Sequence, residues 1–177
     1  VRAAAANDDA CQLLERVFHC LRSWLRHGGG HIPAATFAAS PLLTACFEAL
    51  RSDRLFDAAG DCIVAALRCY YRADRDMAVV RVIVPGIMGC REQLNMAVRN
   101  QDDDQARGLV RVFAEMGESY MDLLVGPDDI GQHQVIQMLV GGLSYPEPEV
   151  ATITRQFWMR LARALLPRAW SGRAPLL

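Results

Sequence analysis

Apolar residues recur at steps of three and four along most of this chain, and nowhere do they alternate in the two-residue rhythm of a strand. One stripe is Leu14, Val17, Leu21 and Trp24. Others are Ile63, Leu67 and Tyr70, then Ala106, Leu109, Phe113 and Met116, then Val150, Ile153, Phe157 and Leu161. These stripes repeat on a longer scale. Leu21, Leu67 and Phe113 stand 46 residues apart, and Phe157-Trp158 follows 44 to 45 residues later. A second apolar stripe lies between successive members of the series, so the pattern predicts helices that come in pairs.

Local signals place the helix ends. The first helix is predicted over residues 9–27, stopped by Gly28-Gly29-Gly30, since glycine favours the left-handed C-terminal cap. Ser40-Pro41 opens a second to residue 51, with serine as N-cap and a stripe of Leu43, Cys46, Phe47 and Leu50. A third covers 56–71. A long fourth covers 77–99, with Val80, Ile83, Ile87, Cys90, Leu94 and Ala97 on one face and a kink expected at Pro85. Asp102-Asp103-Asp104 begins a fifth that stops at Gly126-Pro127, and a sixth spans 132–143 with Val135, Ile136, Leu139 and Val140. Tyr145-Pro146-Glu147-Pro148-Glu149 opens a seventh, to residue 166. Trp158 is predicted to be largely buried against the fifth and sixth helices, with Arg155 exposed.

A period of about 40–47 residues made from a helix pair is that of HEAT and armadillo arrays. The predicted fold class is therefore all-α: an α-solenoid of HEAT-like repeats, about three antiparallel helix pairs plus one further helix. That last helix carries Phe157, Trp158, Leu161 and Leu165, a face it cannot hide alone, because each repeat of a solenoid buries its stripe only against neighbours. Residues 1–177 read as a single HEAT-repeat segment and, with Val1 in place of an initiating Met, as a fragment of a longer chain. A fold of this kind binds rather than catalyses.

Composition narrows the picture further. A hydrophobic share of 52% argues against disorder. No apolar run approaches the length of about 18 residues that suggests a membrane span. Net charge is −1, and the 19 basic residues, all arginine, are balanced by 20 acidic ones, so bulk charge gives no support for nucleic-acid binding. Six cysteines occur singly without a CxxC pair, and Cys20, Cys46, Cys62 and Cys90 fall on or beside apolar faces, as buried reduced thiols do.

Motifs that carry chemistry are weak here. His27-Gly28-Gly29-Gly30-His31 contains the HGGG of an esterase oxyanion hole, but the GxSxG elbow and the strands that chemistry needs are missing. Those histidines lack an acid or cysteine to complete a metal set, and no cofactor is predicted. Asp102-Asp103-Asp104 lacks the glycine and terminal glutamate of a calcium loop and reads first as a helix start. Together with Asp128-Asp129 it is also placed to meet a basic partner. Arg91, Glu92, Asn95 and Arg99 form the polar side of the fourth helix, and the second helix of each HEAT pair lines the concave surface, so this row is placed to touch a partner. Glu115, Glu118 and Asp122 line the polar side of the fifth helix, where Arg111 and Glu115 are spaced to pair at i,i+4. The candidate partner-binding residues are thus Arg91, Glu92, Asn95, Arg99, Asp102, Asp103, Asp104 and Glu118. Charge reversal at Asp102-Asp103-Asp104, or at Glu118, is expected to slow association, weaken its salt dependence and leave helicity and melting temperature near wild type.

The order of several segments resembles the transportin-SR branch of the importin-β superfamily, nuclear transport receptors built from HEAT repeats. The segments are Cys20-Leu21-Arg22-Ser23-Trp24, Pro41-Leu42-Leu43 with Phe47-Glu48-Ala49-Leu50, and Ala58-Ala59-Gly60-Asp61-Cys62. They continue with Met96-Ala97-Val98-Arg99, Phe113-Ala114-Glu115-Met116-Gly117-Glu118-Ser119 and Gln156-Phe157-Trp158-Met159-Arg160-Leu161. Glu118 is singled out above because it lies in the fifth of these. The resemblance implies a place in the N-terminal half of a receptor several times longer. It also implies binding to the GTPase Ran in its GTP form, to protein cargo such as SR-type splicing factors and to nuclear pore proteins. Shuttling between nucleus and cytoplasm follows, with no enzymatic activity and no direct contact with nucleic acid or membrane. Gly28-Gly29-Gly30-His31 departs from animal members. The periodicity alone also suits a HEAT scaffold or adaptor unrelated to nuclear transport, such as a phosphatase or vesicle-coat subunit.

Overall fold

The computed structural model describes residues 2–28, 31–126, 132–143 and 145–170. Among these there is no strand. Eleven helical segments follow in order: α1 (Arg2–His27), α2 (Ala34–Ala38), α3 (Pro41–Ala49), α4 (Phe56–Cys69), α5 (Ala73–Met88), α6 (Arg91–Asn100), α7 (Asp103–Ser119), α8 (Met121–Leu124), α9 (Gln132–Leu143), α10 (Pro148–Ile153) and α11 (Arg155–Trp170). Gly29, Gly30, Pro127, Asp128, Asp129 and the tail 171–177 lie outside the described residues.

The helices form two layers. The first holds the members of the 46-residue series: α1 packs on α4, α4 on α7, and α7 on α10 and α11. Contacts between neighbours advance together, Asp61 meeting Arg111 and Arg68 meeting Glu115, so these helices run parallel. Four aligned helix dipoles repel side by side, and the sequence offsets this at both edges. Asp57, Asp103, Asp104 and Glu149 occupy first turns, while Arg26, His27 and Arg68 occupy last turns. In the second layer α2 and α3 pack on α5, α3 also backs α4, and α6 and α9 both back α7. With α1 packed on α4 and α11 on α7 and α8, and no packing interface between α1 and α11, the array is open rather than a closed bundle.

One core runs the length of the array between the layers. Every residue of the stripe Val80, Ile83, Ile87, Cys90, Leu94 and Ala97 is buried, as is every residue of Ala106, Leu109, Phe113 and Met116. Burial of each large side chain contributes about 1.5–3 kcal/mol. Two glycines let first-layer helices approach closely. The Phe56 ring lies over Gly108, and the Phe157 ring lies over Gly117, where an added Cβ would stand 2.6 Å from it.

The structure corrects several expectations. On α1 the buried residues are Phe18, Leu21 and Leu25, while Trp24 is 60% exposed and Leu14 40%. Phe18 sits on the same face as Leu21 and Leu25, and Trp24, about 100° around the helix from Leu25, falls outside it. The same happens at the other end: Phe157 is fully buried and Trp158 only partly so, its ring edge-on to Phe157. Cys20 is exposed, whereas Cys46, Cys62 and Cys90 are buried.

Three predicted helices are each two. Residues 77–99 divide at Gly89-Cys90, where the Gly89 N–H still reaches the Pro85 carbonyl and the Cys90 N–H turns back to the Ile87 carbonyl, both at 2.9 Å; Pro85 stays inside α5, whose one non-helical residue is Asp76. The fifth divides at Tyr120, whose hydroxyl donates to the Tyr70 carbonyl at 3.1 Å, and the seventh at buried Thr154. α5 begins four residues early as a short turn, separated from the helix that starts at residue 77 by a kink at Asp76 (φ −105°, ψ 16°), whose carboxylate accepts from the Arg72 N–H at 3.3 Å and Arg75 Nε at 2.8 Å. α2, five residues long, is too short to show a period. It is anchored by Phe37 stacking on Tyr70, with 5.0 Å between ring centres.

Candidate functional site

The residues proposed from sequence fall on two layers. Leu94 and Ala97 turn inward on α6, which leaves Arg91, Glu92 and Arg99 exposed and Asn95 half-buried. Asn95 Nδ2 donates to Glu92 Oε2 at 3.3 Å, so these two present a fixed polar pair.

The corner after α6 is tight. Gln101 adopts φ 56°, the left-handed region, which few residues other than glycine favour. Its N–H donates to the Val98 carbonyl at 3.3 Å and the Asp102 N–H to the Ala97 carbonyl at 3.0 Å, the paired closure of a Schellman turn. Asp102 then caps α7 by accepting from the Gln105 N–H at 3.0 Å. Asp103 accepts from the Tyr145 hydroxyl at 2.7 Å, and burial followed by this bond pushes the Tyr145 phenol up to about 12. Asp104 pairs with Arg107 at 3.1 Å. The α6 row and the three aspartates thus lie on consecutive segments, α6 and the corner that opens α7.

Glu118 lies apart from it, fifteen residues along α7 from Asp103 and so about 22 Å away. Its side chain is only 17% exposed and faces Arg160 Nε of α11 at 3.6 Å. Burial raises its pKa; Arg160 opposes that shift and nearby Glu115 adds to it. Arg111 and Glu115 do not pair with each other. Arg111 reaches Asp61 of α4, which also holds Arg22 of α1, and Glu115 reaches Arg68 of α4 at 2.6 Å. Arg107 also meets Glu149 of α10 at 3.5 Å. Every first-layer neighbour pair is thus bridged by arginine and carboxylate. Such part-exposed pairs contribute on the order of 0.2–1 kcal/mol each, enough to set register.

Of the bridging residues, Arg22, Asp61, Arg68, Arg107, Glu149 and Arg160 were not singled out as sites from sequence, and the partners of Arg111, Glu115 and Glu118 were not foreseen, yet a signal was present. Asp103–Tyr145, Arg107–Glu149 and Glu118–Arg160 are each separated by 42 residues, and Arg68–Glu115 by 47, close to the repeat period. Asp102, Asp103 and Glu118 each make a structural bond, so reversing their charge is expected to lower the melting temperature rather than leave it near wild type.

Two grooves border these rows. One, of about 510 Å³ between the N-terminal ends of α4 and α7, is lined by Asp53, Asp57, Asp102, Asp104, Arg107 and Arg111. The other, of about 270 Å³, opens where α6 and α9 diverge and is lined by Leu94, Val98, Val110, Met138 and Tyr145. Among the described residues no group of His, Cys, Asp or Glu is arranged to hold a metal ion, and no helix is long and apolar enough to cross a membrane.

Parallel first-layer helices backed by a second layer, repeating every 44–46 residues, define an all-α solenoid of the HEAT type. The chain is similar to members of the importin-β superfamily. Residues 101–174 match the family model of the Transportin-3/Importin-13 second TPR domain, and residues 2–63 match that of Exportin 1-like proteins. The observed period is nearer that of HEAT than the 34 residues of TPR.

Transportin MOS14 of Arabidopsis thaliana is 29% identical over 164 residues, covering 89% of this chain and 16% of the relative. Human Importin-13 is 28% identical over 161 residues, covering 86% and 16%. The mRNA transport regulator MTR10 of Saccharomyces cerevisiae is 24% identical over 181 residues, covering 94% and 18%. The chain spans less than a fifth of the length of these relatives.

Proposed function

We propose that residues 1–177 are a HEAT-repeat segment from the N-terminal half of a nuclear transport receptor that acts by binding. Its partners are Ran in the GTP form and protein cargo such as SR-type splicing factors, carried through contacts with nuclear pore proteins as the receptor shuttles between nucleus and cytoplasm. The observation that carries this reading is the match of two transport-receptor family models, in order, to the two ends of one continuous helical array. Arg91, Glu92, Asn95, Arg99, Asp102, Asp103 and Asp104 form the proposed partner surface, because they lie on consecutive segments at the α6–α7 corner. Glu118 contributes through Arg160, which it orients.

The test is capture by the full-length parent of Ran loaded with GTP or with GDP. Retention of the GTP form, with cargo released as Ran binds, is the expected outcome for an import receptor. Equal capture of both forms, or of neither, would favour a HEAT scaffold outside nuclear transport.

A further inference from the structure

A cleft of about 520 Å³ separates the C-terminal ends of α1 and α4. Arg26, His27 and His31 line it together with Arg68, and Leu25, Gly28, Ala65 and Cys69 complete its lining. No carboxylate lines it, in a chain that carries 20. Glu115 holds the Arg68 guanidinium at 2.6 Å. The side chains of Arg26, His27 and His31 make no hydrogen bond or ion pair with any described residue.

Helix dipoles account for part of this placement, since Arg26, His27 and Arg68 occupy last turns. They do not account for His31, which lies beyond the end of α1 yet lines the same cleft.

We propose that this cleft binds a phosphoryl group, free or carried on a peptide. The Arg26 guanidinium and two imidazoles are unengaged donors, and Arg68, held by Glu115, adds a second guanidinium at the edge; a phosphoryl group, with three oxygens and a charge of about −1.5 to −2, suits that set better than the two oxygens of a carboxylate. The inference does not depend on the transport reading.

Nuclear magnetic resonance titration of the 177-residue chain tests it. Inorganic phosphate and a phosphoserine peptide should each shift the His27 and His31 ring signals saturably, and the unphosphorylated peptide should not. Arg26→Gln and His31→Gln should each weaken binding about tenfold, the loss of one charge-assisted hydrogen bond. Arg163→Gln, on exposed α11 surface, should leave it unchanged. His31 lies outside the α-helices, so His31→Gln keeps the test valid if Arg26→Gln disturbs folding. A response to inorganic phosphate alone would assign the free anion as the ligand and uphold the site. No saturable shift in the wild type, or undiminished affinity in both variants, would overturn it and leave only dipole compensation.

Discussion

Glu118 shows how a single charged residue can be more than a solvated surface group. Burial raises its pKa, so the folded state favours the protonated acid. The stability linked to it is therefore complete below the ordinary value of 4.5 and declines as pH rises through the raised folded value. Glu118→Gln removes this titration. The melting temperature of wild type relative to Glu118→Gln should fall as pH is raised above 4.5 and level off once the carboxyl is fully ionised. Parallel curves across that range, in scanning calorimetry, would show that Arg160 cancels the effect of burial.

At the scale of the element, helix ends are decided by a few capping atoms. Ser40 accepts from the Leu42 N–H at 3.2 Å, and Asp102 does the same work for α7. Of the three adjacent aspartates, Asp102 caps, Asp103 binds Tyr145, and Asp104 makes only an exposed pair with Arg107. Asp102→Ala should cost about 1 kcal/mol in urea unfolding, as loss of an N-cap does. Asp104→Ala should cost about 0.5 kcal/mol or less, as an exposed substitution does. Equal losses would mean that charge near the dipole, rather than the cap bond, sets the start of α7.

For the molecule as a whole, spacing between first-layer helices is set by rings lying over glycines. Gly117→Ala places a methyl 2.6 Å from the Phe157 ring, and moving that ring disturbs the junction of α7 with α11. The expected cost is about 1–3 kcal/mol. Gly141, in α9, has nothing within 4 Å of an added Cβ, so Gly141→Ala should stabilise by about 0.5–1 kcal/mol through helix propensity. Thermal unfolding of the two variants should move in opposite directions. Loss of stability in both would show that α9 is also held against an unseen neighbour.

The sequence by itself determined the amphipathic stripes, their period and the class of fold. An amphipathic stripe is a local property, and its recurrence every 44–46 residues survives without knowledge of any contact. The stripes from Val80 to Ala97 and from Ala106 to Met116 are buried residue for residue as read. Only the tertiary structure decided which aromatic of Phe157-Trp158 enters the core, because two adjacent helical positions differ by about 100° and both are apolar. It alone decided the breaks at Gly89-Cys90, Tyr120 and Thr154, two of which rest on hydroxyls that bond across or within the packed layers. It also separated Glu118 from the α6–α7 corner and joined Asp61 to Arg22 and Arg111. Charge is legible along a helix, but its partner lies one repeat away, and which residues meet depends on the register of parallel helices that packing sets.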